Sequence, residues 1–373
     1  VERIAQGFGT ALHICLDEHA DDAGLGLGHL QEHIPDRCDL LGELHIAELA
    51  LTVQRDLTGL ALALGGEQFI ACVGSAGETE HQHRHGGFGL LHRLAALVEH
   101  RTHTTSELTA HEDVAMISFT GSTRAGRLIT KGAAETLKRV GLELGGKGAN
   151  VIFADADEKA VIRGVRHCMN NSGQSCNAPT RMLVERSRYD EAVVQAAETA
   201  QAIKVGPTTE AGKHMGPVVN KSQWEKIQGM IQVGIDEGAR LIAGGTGLPE
   251  NVNRGFYVKP TVFADVTNDM RIAQEEIFGP VLVIIPFEDE ADAIRIANDT
   301  PYGLTDYVQS TDGTKRNRMA RALKAGMIEM NGESRGAGSP FGGVKLSGRA
   351  REGGVWGIEE YLESKAISAW SND

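Results

Sequence analysis

The sequence predicts an α/β fold for residues 113–373 and a segment of unknown, poorly ordered structure for residues 1–112. Three observations carry that division. β-Branched runs alternate with amphipathic helical stretches only after Val114. Twelve of the fourteen histidines lie in residues 1–112, a stretch that contains no Lys, Asn, Tyr, Trp or Met. Charge is uneven as well: residues 1–112 hold seventeen acidic side chains against six arginines, a net of −11, which leaves −2 of the total −13 for the remaining 261 residues.

Each element follows from local pattern. Residues 114–120 read as a strand, 122–137 as a helix, 140–143 as a strand ending in the Gly145-Gly146 turn, and 151–153 as a further strand. A helix over 159–170 feeds the loop 171–176. Beyond it come a strand at 181–184 and helices at 189–202 and 222–237. Strands at 255–263, 281–286 and 325–331, a helix at 353–361 and a terminal strand at 363–370 complete the reading. Short Gly- and Pro-containing connections predict a sheet with helices on both faces. Within the first 112 residues, helices at 40–51 and 88–98 fit the periodicity, but strand patterns are scarce. The strand from Val114 is therefore expected to lack neighbours on that side.

Composition narrows the function. A chain of 373 residues can bury a sizeable core and hold a cleft between domains. Its acidity argues against nucleic acid, which demands clustered Lys and Arg. Cys15, Cys38, Cys72, Cys168 and Cys176 are irregularly spaced with no CxxC pair, which suggests neither zinc nor disulfides and fits a reducing, cytoplasmic setting. No apolar run approaches the roughly 18 residues of a membrane span, and no export signal stands at the start. His81, His83 and His85 would share one face of a strand, but no carboxylate pattern accompanies them and no metal is expected.

Three places carry chemistry. Cys176 ends Asn-Ser-Gly-Gln-Ser-Cys, a glycine-containing turn where backbone N–H groups can approach a thiolate and an oxyanion. A lone cysteine is more often a buried small hydrophobe, and Cys168 fits that description. Glu143 stands in Leu-Glu-Leu-Gly-Gly-Lys at a strand end, where ligand crevices form in open α/β sheets; alone it would read as a solvated carboxylate. Gly121 and Ser122 join a strand to a helix N-terminus, suited to a phosphate or simply to an N-cap.

Phe-Thr-Gly-Ser-Thr (119–123), Leu-Glu-Leu-Gly-Gly-Lys (142–147), Gly-Gln-Ser-Cys (173–176), Glu-Glu-Ile-Phe-Gly-Pro-Val (275–281) and Pro-Phe-Gly-Gly-Val-Lys-Leu-Ser-Gly (340–348) occur in this order. In order and spacing they resemble the NAD(P)-dependent aldehyde dehydrogenase superfamily over about residues 113–370. The resemblance implies a remnant of a Rossmann-like dinucleotide domain (113–145), a catalytic domain (146–358) and an oligomerisation tail (359–373). It implies Cys176 as nucleophile and Glu143 as general base. Gly121 and Ser122 would meet the pyrophosphate, Leu144 and Gly145 would lie beside the nicotinamide, Glu276 would hold its ribose and Phe278 would pack beside it. The implied reaction is oxidation of a small-molecule aldehyde to a carboxylic acid with NAD, NADP remaining open, and the implied assembly is a homodimer or homotetramer.

The first 112 residues depart from that resemblance. The family carries there a Pro-Trp-Asn motif that supplies an oxyanion donor and a Lys-Pro-Ser motif that contacts the adenosine ribose; residues 1–112 have no Lys, Trp or Asn. The Gly24–Gly28 run lacks GxGxxG spacing. This segment reads as mistranslated or fused sequence. Weak dinucleotide binding is expected of the chain as it stands, and the alternative is a catalytically inactive relative that serves assembly. A thiol hydrolase would need a positioned His, and only His167 and His214 lie beyond residue 111, neither in such a context.

Overall fold

The structure, a computed structural model, describes residues 10–16, 67–73 and 104–369. It divides into two compact units, Val1–Leu142 with Val355–Asp373 and Glu143–Gly354. The helices expected at 40–51 and 88–98, the Gly24–Gly28 run and His81, His83 and His85 lie outside the described residues.

In the first unit, strands β1 (Thr10–Leu16), β2 (Glu67–Val73), β3 (Val114–Thr120) and β4 (Arg139–Glu143) form one sheet in that order. β4 ends on the first residue of the second unit. β2 pairs antiparallel with both β1 and β3. The expectation that β3 lacks a neighbour on that side is therefore corrected: the unpaired N–H and C=O groups of a strand edge accept an extended segment, and Phe69 to Val73 supply an apolar run. Helix α1 (Thr104–Ala110) meets helix α2 (Thr123–Ala133) where Thr109 Cγ2 lies 2.8 Å from the Cβ position that Gly132 lacks. Leu108, Ile117, Phe119, Ile129 and Ala133 are buried. α2 stops short of the predicted 137, because the chain tightens into a 3-10 turn at Ala134–Thr136 and Leu137 turns left-handed at φ 53°.

The predicted terminal strand at 363–370 is also corrected. The short helix Gly354–Glu359 is present, but residues 363–369 form no strand and Trp370 is outside the described residues. A strand exists through the partner that takes its backbone groups, and among the described residues none does so. Arg139 instead donates to the Leu362 carbonyl at 2.9 Å and pairs with Glu363 at 3.2 Å.

The second unit is built on seven strands: β5 (Ala149–Ile152), β6 (Arg181–Glu185), β7 (Arg240–Ala243), β8 (Thr261–Ala264), β9 (Val281–Phe287), β10 (Thr305–Gln309) and β11 (Met327–Met330). Their spatial order is β11-β10-β5-β6-β9-β8-β7. All pairs are parallel except β7 with β8. Helices α3 (Ala160–Met169), α4 (Tyr189–Gln201), α5 (Lys221–Asp236), α6 (Arg271–Gln274), α7 (Glu290–Asn298) and α8 (Gly313–Ala322) connect them. Side chains alternate between faces along a strand, so both faces can be buried only if the run is continuously apolar. β9 shows this. Val283, Ile285 and Phe287 join Ile227 and Ile231 of α5, Ile296 of α7 and Met319 of α8. Leu282 and Ile284 join Val161, Val165 and Cys168 of α3 and Ala192 and Ala196 of α4 on the other face.

The sequence pattern misses β7, β10, α7 and α8. β10 (Thr-Asp-Tyr-Val-Gln) is polar yet wholly buried, because Asp306 and Gln309 are satisfied across the sheet. Asp306 accepts the Ala149 N–H at 2.8 Å and Gln309 donates to Asn150 Oδ1 at 3.0 Å. The predicted strand at 255–263 shrinks to Thr261–Ala264, since Pro260 just ahead has no N–H for a ladder.

Candidate active site

The loops carrying Glu143, Cys176 and Glu276 enter β5, β6 and β9 respectively, so they gather at the amino-terminal edge of the parallel strands. Strand-end reasoning had pointed to carboxyl ends; Glu143 does close β4, but in the seven-stranded sheet the cluster sits at the opposite edge.

Cys176 is delivered by a tight turn after α3. Asn171, Ser172 and Gly173 take φ of 51°, 57° and 72° in succession. Left-handed backbone is costly for residues with a side chain and persists only where surroundings hold it. Asn171 Nδ2 donates to the Gln174 carbonyl at 2.9 Å, Ser172 Oγ donates to the Gly216 carbonyl at 2.9 Å, and Gln174 Oε1 accepts the Val219 N–H at 2.9 Å. Gly173 is required, because a Cβ there would lie 2.1 Å from the Gly279 carbonyl. That contact seats the Glu-Ile-Phe-Gly segment against the cysteine loop. After Cys176 the Ala178 N–H returns to the Ser175 carbonyl at 3.1 Å, and Tyr307 Oη donates to the Asn177 carbonyl at 2.6 Å.

Glu143 is 3% exposed. Its backbone bridges Gly348, and the Leu144 N–H donates to the Ser347 carbonyl at 2.9 Å, so the Lys-Leu-Ser-Gly motif supports the Glu-Leu-Gly-Gly motif directly. Glu143 Oε1 and Arg351 Nη1 lie 2.8 and 2.9 Å from the Cβ position of Gly342. Gly146 touches the cysteine loop: a Cβ there would lie 2.4 Å from the Cys176 carbonyl oxygen. Glu276 lies over the same strip, with Oε1 accepting the Gly146 N–H at 2.9 Å and Oε2 at 2.1 Å from the place a Gly145 Cβ would take. Phe278, at φ 57°, is held through its carbonyl by Gln223 Nε2 at 2.7 Å. Gly121 and Ser122 belong to the first unit, where Ser122 caps α2 by accepting the Ala125 N–H at 3.2 Å.

Burial pushes the Cys176 thiol up to about 12, the carboxylates of Glu276, Glu143 and Glu352 push the same way, and the Asn177 N–H opposes them. At rest the group is held as the thiol. Burial raises Glu276 too, countered by the Gly146 N–H and by Lys226 and Lys147. Lys147 is 1% exposed and is pushed down to about 7 by burial and by Arg181. Arg181, fully buried, donates to the carbonyls of Lys147, Ile296 and Ala297 and to Asn268, fixing the end of the glycine strip.

Tyr307, Glu352 and Arg181 escape sequence reasoning. Glu352 lies four residues beyond the motif ending at Gly348, and only its backbone pairing with Phe341 brings it to the site. A tyrosine in a strand and an arginine at a strand start carry no signal of their own. Among the described residues no group of His, Cys, Asp and Glu could hold a metal, and no helix is long and apolar enough to cross a membrane.

A sequence model of the aldehyde dehydrogenase family matches residues 92–367, about three quarters of the chain. The chain belongs to the aldehyde dehydrogenase family. The match takes in residues 92–112 as well as the stretch from Asp113. The chain is 49% identical over 264 residues to a 3-succinoylsemialdehyde-pyridine dehydrogenase of a Pseudomonas species, which covers 70% of this chain and 55% of that protein. An aldehyde dehydrogenase from Bartonella henselae superposes with TM-score 0.70 at 63% identity, covering 71% of this chain and 56% of the other. One from Mycobacterium tuberculosis, solved with NAD+, gives TM-score 0.69 at 44% identity over 72% and 56%. The chain thus spans a little over half the length of the relatives it matches.

Proposed function

We propose that residues 143–354 carry the chemical half of an NAD-dependent oxidation of aldehydes to carboxylic acids, with Cys176 as nucleophile and Glu143 as base. The observation that carries this reading is the convergence of Cys176, Glu143 and Glu276 on the Gly145-Gly146 strip. The residues present suit the nicotinamide end of the cofactor: the Glu276 carboxylate over the Gly145-Gly146 strip, which carries no side chains, is a place for a flat ring and a ribose diol. Gly121 and Ser122, in the first unit at the N-terminus of α2, are by themselves suited to a phosphate. NAD, when bound, supplies the hydride acceptor. That NAD rather than NADP fills this role is supported by the relatives solved with NAD+.

Cys176 loses its proton to a neighbouring carboxylate and its sulfur adds to the aldehyde carbon, giving a thiohemiacetal whose oxygen carries negative charge. Collapse of that oxyanion expels hydride and leaves a thioester on Cys176. Glu143 then takes a proton from water as the water attacks the thioester carbon; the C–S bond breaks and the carboxylic acid departs. A relative from Pseudomonas syringae solved with NAD+ and octanal supports an aliphatic aldehyde as one acceptable substrate class.

A version with residues 1–112 replaced by the corresponding half of an active family member, incubated with NAD and a simple aldehyde, tests this reading. Peptide mass spectrometry after rapid acid quench should find an acyl mass on Cys176, and Cys176→Ala should abolish both the adduct and NADH formation. NADH formation undiminished in Cys176→Ala would overturn it.

A further inference from the structure

We infer that Tyr307 is a positioning residue for the nucleophile: from β10 its hydroxyl anchors the carbonyl of Asn177, the residue that follows Cys176, and so fixes the turn that presents the sulfur. The inference deepens the reading of Cys176 as nucleophile and rests on it. Tyr307 Oη donates to the Asn177 carbonyl at 2.6 Å, a short bond for two neutral groups. With the Asn177 carbonyl engaged, and the Ala178 N–H returning to the Ser175 carbonyl at 3.1 Å, the turn after Cys176 has little freedom left.

Tyr307 is itself rigidly held. It pairs with Asn150 of β5 in the sheet ladder, is 4% exposed, and takes the His167 ring edge-on with centroids 5.1 Å apart. Burial and the nearby charges of Glu329, Cys176 and Asp306 push its phenol further up, so it stays a protonated donor over the working pH range. The charged groups facing the sulfur are Glu276, Glu143 and Glu352, all opposing ionisation. A sulfur whose ionisation is opposed by its surroundings reacts only from the orientation its turn holds, so loosening that turn is costly to reactivity.

Alkylation of Cys176 by iodoacetamide, which needs neither cofactor nor aldehyde, tests this on the full chain. Rates are followed by peptide mass spectrometry from about pH 7 to about pH 10, across the ordinary thiol range. Tyr307→Phe keeps the ring but loses the donor. It should slow alkylation at a given pH by about fivefold, the effect of one neutral hydrogen bond, and should quicken hydrogen exchange at the Ala178 amide. His167→Ala removes the ring contact and leaves the hydroxyl bond, so its profile should stay with the parent's. A Tyr307→Phe profile matching the parent's, or an equal slowing in His167→Ala, would overturn the inference. Failure of the nucleophile reading would show separately, as dehydrogenase activity surviving Cys176→Ala.

Discussion

The two edges of the parallel sheet in the second unit are built on opposite principles. At the carboxyl edge, just beyond β5, β10 and β11, carboxylates are each held by several donors, although Arg163 Nε finds no partner among the described residues. The Asp155 carboxylate accepts from Ser310 Oγ at 2.8 Å, from Thr311 Oγ1 and the Asp312 N–H at 3.1 Å, and from Lys315 Nζ at 3.3 Å. Burial pushes Asp155 up, but those hydrogen bonds outweigh it and hold the carboxyl at about 2. Asp157 is lowered chiefly by its bidentate hydrogen bonds from Arg163, at 2.7 and 2.6 Å. At the amino edge the shifts run the other way: burial raises Glu276 and Cys176 and lowers Lys147, whose Nζ, like Thr180 Oγ1, finds no hydrogen-bond partner among the described residues. Polar groups left under-satisfied in a buried place cost stability and concentrate where chemistry is done. One edge holds the sheet together; the other bears the cost of reactivity.

Glu143→Gln breaks the reactive edge most. In the version with a restored cofactor half, hydride transfer should persist as a burst of NADH, while hydrolysis of the thioester slows by about 10² to 10⁴, the usual worth of a general base. Stopped-flow absorbance should show the burst, and mass spectrometry an acylated Cys176. Unchanged steady-state turnover would remove Glu143 from the reaction.

Gly146→Ala probes the contact between motifs. A methyl 2.4 Å from the Cys176 carbonyl oxygen must displace backbone on one side or the other. Overpacking of this kind costs about 1–3 kcal/mol. The loss should appear in thermal unfolding together with a changed rate of Cys176 alkylation. A change confined to stability would mean that the nucleophile loop adapts freely to the strip.

Asp155→Asn is the matching change at the structural edge and the smallest in effect. It should lower stability by about 1–2 kcal/mol, the range for hydrogen bonds to a partly exposed charged group, and leave Cys176 alkylation untouched. Its folded-state ionisation lies below the unfolded value of about 3.9, so its contribution is present above about pH 4 and is lost as pH falls towards about 2. Denaturant titrations from neutral pH down through that window should show the variant losing this part of the acid dependence. Equal acid sensitivity in the two proteins would assign it to other carboxylates.

Much of this was legible in the residues themselves. The runs at 114–120 and 281–286 and the helix at 189–202 are local patterns of burial, and they stand within a residue or two of prediction. The motifs around Glu143 and Cys176 were legible as well, because turn glycines and reactive side chains occur together in short segments, whereas Glu276 was singled out only through the family resemblance. β10 was hidden because cross-strand hydrogen bonds satisfy its Asp306 and Gln309, and no local pattern records a partner more than a hundred residues away.

By itself, the sequence determined the alternation of strand and helix after Val114, the family and the residues able to do chemistry. It did so because side-chain period, turn preference and functional group are properties of neighbouring residues. Only the tertiary structure decided that the reactive groups meet at the amino edge, that Gly146 lies against the Cys176 carbonyl and that Tyr307 reaches Asn177. It also decided that residues 363–369 form no strand among the described residues. Strand order and register are settled by contacts between distant segments, and a one-residue slip of β10 would turn Tyr307 to the other face of the sheet.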